Sequence, residues 1–388
     1  MTASSTAERV SVGPPGPLGR VLWVTENHPP SRGGMAVSSD RIVRNLRRRG
    51  VVVDVVHLQR GTTRWSTTEG EGGRVHRCPI GDDPEHALRR AVTLLDPATS
   101  HVVAFGGSLP LLAGPVYAAW LDAALVTLLR GNDFDTGVFS IRRRAPLFDA
   151  LERSAHVCVV ARSQVDQVRA LVDVPTTWVT NGIDTTDWSS LPSDVAAAEA
   201  WRTEHVPDGR TTIGLIGHLK AKKGVVLLLD ALARSRVRDE VHLVLVGEVD
   251  DEVGARLDRL DPETWTHVGF LDRFELLRRY PALDLVALPS FYDGLPNVAL
   301  EAAALGIALL TSDAGGLADL VVDERTGIRF RAGDVAACRD ALDRAVRLGR
   351  AGREVLGKEA RRVVDADFTD SEEAEAYKRV LRQAAPRG

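Results

Sequence analysis

Apolar positions along the chain follow two alternating spacings. Short runs rich in Val, Ile and Leu recur, and between them lie longer stretches whose apolar positions repeat every three or four residues. The runs "RVLWVTE" (20–26), "VVVDVVHL" (51–58), "HVVAFGG" (101–107), "ALVTLLRG" (124–131), "HVCVVAR" (156–162) and "TTWVTNGID" (176–184) predict strands in the first half. A second series follows: "TTIGLIGHL" (211–219), "VHLVLVGE" (241–248), "THVGFL" (266–271), "LDLVALPS" (283–290), "IALLTSD" (307–313) and "GIRF" (327–330). Continuous apolar strands separated by amphipathic helices specify parallel sheets covered on both faces. The pattern therefore predicts an α/β protein with two doubly wound Rossmann-like domains, at 19–184 and 210–368, facing a cleft. A polar connector with a short helix occupies 185–209. A charged helix fills 369–388, and residues 1–18, rich in Ser, Thr, Gly and Pro, are expected to form a flexible tail.

Ligands of such sheets bind beyond the carboxyl ends of the strands, and four strand ends carry unusual chemistry. The loop after the first strand, "SRGGMA", pairs Gly33 with Gly34 before a helix, which suits close backbone approach to an anion or simply a tight turn. The loop "GHLKAKKG" sets Lys220, Lys222 and Lys223 beside His218. Only five of the 49 basic residues are lysine, and three fall here, an arrangement suited to phosphate or to a solvated basic turn. The stretch "LLRGNDFD" puts Arg130, Asn132 and Asp133 after a strand, either as a cleft wall or as ordinary turn formers.

The fourth is "FYDGLPNVALEAAALG" (291–306). A helix is expected from about Pro296, with Leu295 as an N-cap that offers no side-chain oxygen. The N–H groups of Asn297 and Val298 are then unpartnered. Asp293 precedes this helix start, and Glu301, tilted toward the N-terminus, shares its volume. Helix N–H groups suit phosphate and the acids suit hydroxyls, so a nucleotide sugar satisfies both halves. The competing reading caps the helix with Asp293 and leaves Glu301 on the surface.

Composition narrows the class. The chain has 388 residues, 44% hydrophobic and 26% charged, with a formal net charge of −4. That balance argues against a nucleic-acid binder acting through bulk charge. Cys78, Cys158 and Cys338 lie too far apart in sequence for a disulfide framework or metal cluster, and the ten histidines lack ligand spacing. No apolar run spans a bilayer, and a cytoplasmic location is expected. The run Arg142 to Arg144 reads as a solvated helix face, with an anionic acceptor or the inner membrane surface as its alternative contact.

These motifs, from "GGMA" through "TNGID", "GHLKAKKG" and "VGFL" to "LPSFYDGLPNVALEAAALGIALLTSDAGGLADLV", resemble the large retaining glycosyltransferase family of the GT-B fold (glycosyltransferase family four-like). This family includes sucrose synthase-like, glycogen synthase-like and mannosyltransferase members. The resemblance implies a nucleotide-diphosphate sugar as donor, an acceptor hydroxyl on a small molecule, a lipid-linked sugar or a polysaccharide, and no metal or other cofactor. Glu301 would hold the ribose hydroxyls, Asp293 the transferred sugar and Lys223 the diphosphate. Gly294, Leu295, Asn297 and Val298 would contact sugar and phosphates through their backbone. Gly34, with Gly33, would approach the diphosphate from the other domain, Gly269 would lie near the base, and Arg130 and Asp133 near sugar and acceptor.

Three positions depart from the family pattern. Asp293 replaces the usual glutamate, His218 the usual arginine and Arg130 the common histidine. The implied catalysis is electrostatic, with Lys223, His218 and the helix N-terminus stabilising the leaving diphosphate. Two alternatives follow: an inverting enzyme with Asp133 as general base, and a catalytically silent relative that binds nucleotide sugars as a partner subunit. Closure of the two domains is expected, because the implied ligands of one donor sit on both.

Overall fold

The computed structural model describes residues 18–385; the expected N-terminal tail, apart from Leu18, lies outside them. The first domain is built on β1 (Arg20–Thr25), β2 (Val53–Gln59), β3 (Ser66–Gly70), β4 (Gly73–Pro79), β5 (Thr99–Phe105), β6 (Ala124–Leu129), β7 (His156–Val159) and β8 (Thr176–Trp178). These form one sheet in the order β3-β4-β2-β1-β5-β6-β7-β8, parallel except where β3 runs antiparallel to β4. The central strands are buried along nearly their whole length. Trp23 of β1, with 1% exposure, packs on Phe105 of β5 with ring centroids 5.0 Å apart.

The second domain contains β9 (Thr211–Ile216), β10 (Val241–Val246), β11 (Trp265–Val268), β12 (Leu285–Leu288), β13 (Ala308–Ser312) and β14 (Ile328–Phe330). Its sheet has the order β11-β10-β9-β12-β13-β14, parallel at every pairing. Strand order reverses at β1 in the first sheet and at β9 in the second, and a doubly wound sheet opens a crevice at such a switch. The two crevices face each other.

Two features depart from the expectation. The β3–β4 hairpin was not anticipated, because β3 is exposed throughout and carries no apolar alternation. The expected strand 176–184 is ordered as β8 over three residues only, after which the chain leaves the sheet toward the second domain.

The connector contains the helix Pro192–His205, which packs on the second domain through Arg202, ion-paired to Asp284 at 2.7 Å. The chain crosses back at residues 368–370, where Ile183 and Thr369 form an isolated parallel bridge. The last helix, Asp370–Gln383, then lies on the first-domain helix Gly34–Arg48. Arg41 donates to both carboxylate oxygens of Glu373 (2.8 and 3.1 Å), and Tyr377, Val380 and Leu381 complete the first-domain core.

Candidate active site

A cleft of about 1290 Å³ separates the domains, lined by the strand ends of both. Among the described residues its lining carries eleven Lys and Arg against eight Asp and Glu. A net positive cleft in a chain of net charge −4 points to an anionic ligand.

On the second-domain wall, the loop after β9 turns through Ala221–Lys223. The Lys223 ammonium is ion-paired to Asp293 in the loop after β12, and both side chains are partly buried, at 32% and 20% exposure. Lys222 lies 5.8 Å from the centre of the Tyr292 ring. Burial, then the neighbouring Lys220 and Lys223, hold its ammonium below the ordinary lysine range. His218 also lines the cleft, and its Nε2 is 2.5 Å from Asp250 Oδ1. Asp250 carries no motif signal and was not anticipated.

The helix expected from Pro296 spans Asn297–Ala304, with Pro296 itself as N-cap, so the start moves one residue from the sequence reading. No side chain caps it. The reason for the shift is local: Leu295 is buried at 3% exposure and its carbonyl is taken by Asn181, which leaves Pro296 at the boundary. Glu301, on the second turn, lines the cleft and accepts a hydrogen bond from the Tyr280 hydroxyl at 2.7 Å. Burial pushes the Glu301 carboxyl up to about 7, against the opposing effects of Tyr280 and Arg41. Tyr280, fully buried, is a site residue that sequence reasoning missed, since a lone tyrosine between helical segments carries no pattern.

On the first-domain wall, Gly33 adopts φ +107° and opens the helix Gly34–Arg48, again with no side-chain cap. The two uncapped helix starts meet directly. Asn297 Nδ2 donates to the Gly34 carbonyl at 3.1 Å, and Ser38 Oγ donates to Asn297 Oδ1 at 3.4 Å. Arg130 lies beside them, buried, with its guanidinium 4.9 Å from the centre of the Phe105 ring. It donates to Tyr377 Oη at 2.9 Å and to Asn181 Oδ1. Asn181, from "TNGID", in turn donates to the Leu295 carbonyl at 2.5 Å, so one amide ties Arg130 to the loop ahead of the second-domain helix.

Asp133 lines the cleft, but its carboxylate faces its own backbone, accepting from the N–H groups of Arg130 (2.9 and 3.0 Å) and Phe134 (3.0 Å). Burial still raises the carboxyl to about 6. The side chain of Asn132 lies outside the described ones. Gly131 sits at φ +103°, and a Cβ there would come within 2.4 Å of Gly294 N. The domain walls touch at this pair.

Two of the expected contact residues stand apart from the cleft lining. Gly294 is buried against the Arg130 carbonyl and does not line the cleft; its N–H is already taken by Asp293 Oδ1 at 3.0 Å. Gly269 also falls outside the lining, which is formed there by Phe270 and Leu271. Gly33, Gly34, Arg130, Asp133, His218, Lys223, Asp293, Leu295, Asn297, Val298 and Glu301 all line the one cleft. The arginine run is also placed differently from a plain helix face: Arg142 and Arg143 reach the cleft mouth, and the helix begins only at Arg144.

Residues 33–182 match the glycosyl transferase 4-like domain, and residues 210–347 match the glycosyl transferases group 1 family. The chain is 34% identical over 230 residues to a glycogen synthase of Mycobacterium tuberculosis, covering 54% of this chain and 51% of that one. It is 27% identical over 335 residues to a GDP-mannose-dependent alpha-mannosyltransferase of the same species, covering 81% and 84%. The match thus spans about half the length of the first of these curated relatives. In fold, the chain is similar to Anabaena HepE in complex with UDP-glucose, with a TM-score of 0.77 and 18% identity over 94% of this chain and 99% of that one. With a family model matched on each domain and a two-sheet architecture shared with solved relatives, the chain belongs to the GT-B-fold glycosyltransferases of the family-four-like type.

Proposed function

We propose that the cleft transfers a sugar from a nucleoside-diphosphate sugar to an acceptor hydroxyl with retention of anomeric configuration. One observation carries this reading: the uncapped starts of helices Gly34–Arg48 and Asn297–Ala304, joined by Asn297, share a cleft with Lys223 and with the acids Asp293 and Glu301. Helix starts and an ammonium attract a diphosphate, and carboxylates accept from sugar and ribose hydroxyls. A relative named as GDP-mannose-dependent and a structural neighbour in complex with UDP-glucose support a ligand of this chemistry.

In this reading Glu301 takes the ribose hydroxyls and Asp293 the hydroxyls of the transferred sugar. Lys223 leaves Asp293 for the diphosphate, and His218 adds charge when protonated. The acceptor oxygen bonds to the anomeric carbon on the face that the diphosphate leaves. The anomeric carbon–oxygen bond breaks with its electron pair going to the diphosphate, and the acceptor proton passes to a departing diphosphate oxygen. In this reading Asp133 is not the general base, and its carboxylate holds the backbone N–H groups of Arg130 and Phe134 instead. Lys223 and the helix starts supply the positive charge the leaving group needs, so the reaction is read as metal-independent.

Calorimetric titration with UDP, GDP and ADP and their sugars tests this, followed by turnover with chelator present and anomeric analysis of the product. Binding of at least one nucleoside diphosphate and transfer with retention are expected. Binding without turnover by any nucleotide sugar would assign the chain to the silent class, and no binding would overturn the donor site.

A further inference from the structure

The helix Ser108–Leu121 contains no charged residue, yet it lies on the surface. After the exposed Ser108 at its first position, its outward positions are Leu112, Val116, Ala119 and Trp120, with Leu112, Val116 and Trp120 exposed by 43%, 54% and 70%. Residues 112, 116 and 120 are four apart and share one face. A surface helix of a water-soluble domain ordinarily turns polar side chains outward, and one that is apolar all round belongs against another apolar phase.

This helix packs against helix Arg144–Arg153, and the loop that leads into the latter presents Phe139 at 87% and Ile141 at 99% exposure. Next to them stand Arg142 and Arg144, both exposed. From residue 136 to 148, and along the whole helix Ser108–Leu121, there are three arginines and no acid, in a chain whose acids outnumber its Lys and Arg by 53 to 49.

We propose that this face docks on an anionic lipid bilayer, with Phe139, Ile141, Val116 and Trp120 entering the headgroup region and Arg142 and Arg144 meeting the lipid phosphates. Charge complementarity selects this occupant over a second copy of the chain, since a symmetric pairing would bring both arginine runs into one interface to which residues 136–148 and the helix Ser108–Leu121 contribute no acid. Indole and phenyl rings beside arginines match the interfacial layer, where one end of a side chain is apolar and the other wet. The patch is continuous with the cleft: Leu112, Arg142 and Arg143 line its mouth on the first-domain side. An acceptor drawn from the bilayer would enter there; this last point rests on the transfer reading, whereas the docking does not.

Co-sedimentation of the full chain with phosphatidylglycerol/phosphatidylcholine vesicles, against pure phosphatidylcholine vesicles, tests the proposal. Binding to the anionic vesicles is expected, weakening with added salt. The variant Phe139→Ser/Ile141→Ser and, separately, Trp120→Ser should each bind roughly tenfold more weakly. The loop variant changes only side chains already exposed by 87% or more, so its folding, checked by circular dichroism, is expected to be unchanged. Failure of the wild type to sediment with anionic vesicles, or equal sedimentation of both variants, would overturn the proposal. So would a stable dimer in sedimentation velocity that Trp120→Ser dissociates, since the face would then belong to a second copy.

Discussion

Lys223 and Asp293 are ion-paired across two loops, and the proposed transfer assigns both of them to the donor. The pair therefore couples the two halves of the donor. Lys223→Ala is expected to lower kcat by about 10²–10³-fold, the scale on which a single donor to a developing anion acts, and to weaken nucleoside-diphosphate binding. Asp293→Asn removes the charge that competes for Lys223. It should leave nucleoside-diphosphate affinity equal or tighter by calorimetry while kcat falls. Parallel losses of affinity in both variants would mean that Asp293 orders the phosphate site and does not contact the sugar.

Glu301 sets a pH dependence with a defined sign. Its carboxyl rises from an ordinary 4.5 to about 7, so the folded state holds a proton that the unfolded chain releases. Stability contributed by this group is fully present below about 4.5 and declines as pH rises to about 7. Urea unfolding across that window should show a slope that Glu301→Gln reduces. If Glu301 accepts from the ribose hydroxyls as proposed, it binds them ionised, so donor binding near pH 6.5 should release a proton, detectable by calorimetry in buffers of different ionisation enthalpy. Tyr280→Phe removes the hydrogen bond that opposes the rise and should move the midpoint to higher pH.

Asn181 satisfies both Arg130 and the Leu295 carbonyl. Asn181→Ala leaves both without that partner in a buried setting, at a cost of about 1–3 kcal/mol in stability by chemical denaturation. Because Leu295 immediately precedes the N-cap Pro296, kcat/KM for the donor should fall as well.

Gly131→Ala tests the contact between the walls. The added methyl cannot coexist with Gly294 N at 2.4 Å, and φ +103° is unfavourable for alanine. The expected result is a raised donor KM with each domain still folded, and small-angle scattering should report a larger radius of gyration. An unchanged KM would show that the site forms without this contact.

The strands that build the sheets were legible because parallel strands buried on both faces read as apolar runs: "VLWV" in β1 and "VHLVLV" in β10 leave little choice. The β3–β4 hairpin was not, since Ser66–Gly70 is wholly exposed and its stability comes from pairing with its neighbour. In the cleft, glycines, lysines and paired acids announced themselves by local spacing. Their supports did not. Tyr377 lies 247 positions from Arg130, and Glu373 lies 332 from Arg41. No periodicity reports a contact made by a chain returning from the far domain.

That return constrains how the cleft can move. The chain passes between domains at two places, and these are stitched together: Ile183 N–H donates to the Phe368 carbonyl at 2.9 Å, and Asp370 N–H donates to the Ile183 carbonyl at 3.1 Å. A single strand of linker would let one body swivel freely about the other. Two bonded side by side act as a door hinge, permitting rotation about one axis while resisting twist and translation. A cleft that opened about such a hinge would retrace one arc, and Gly34 would return to its place opposite Asn297.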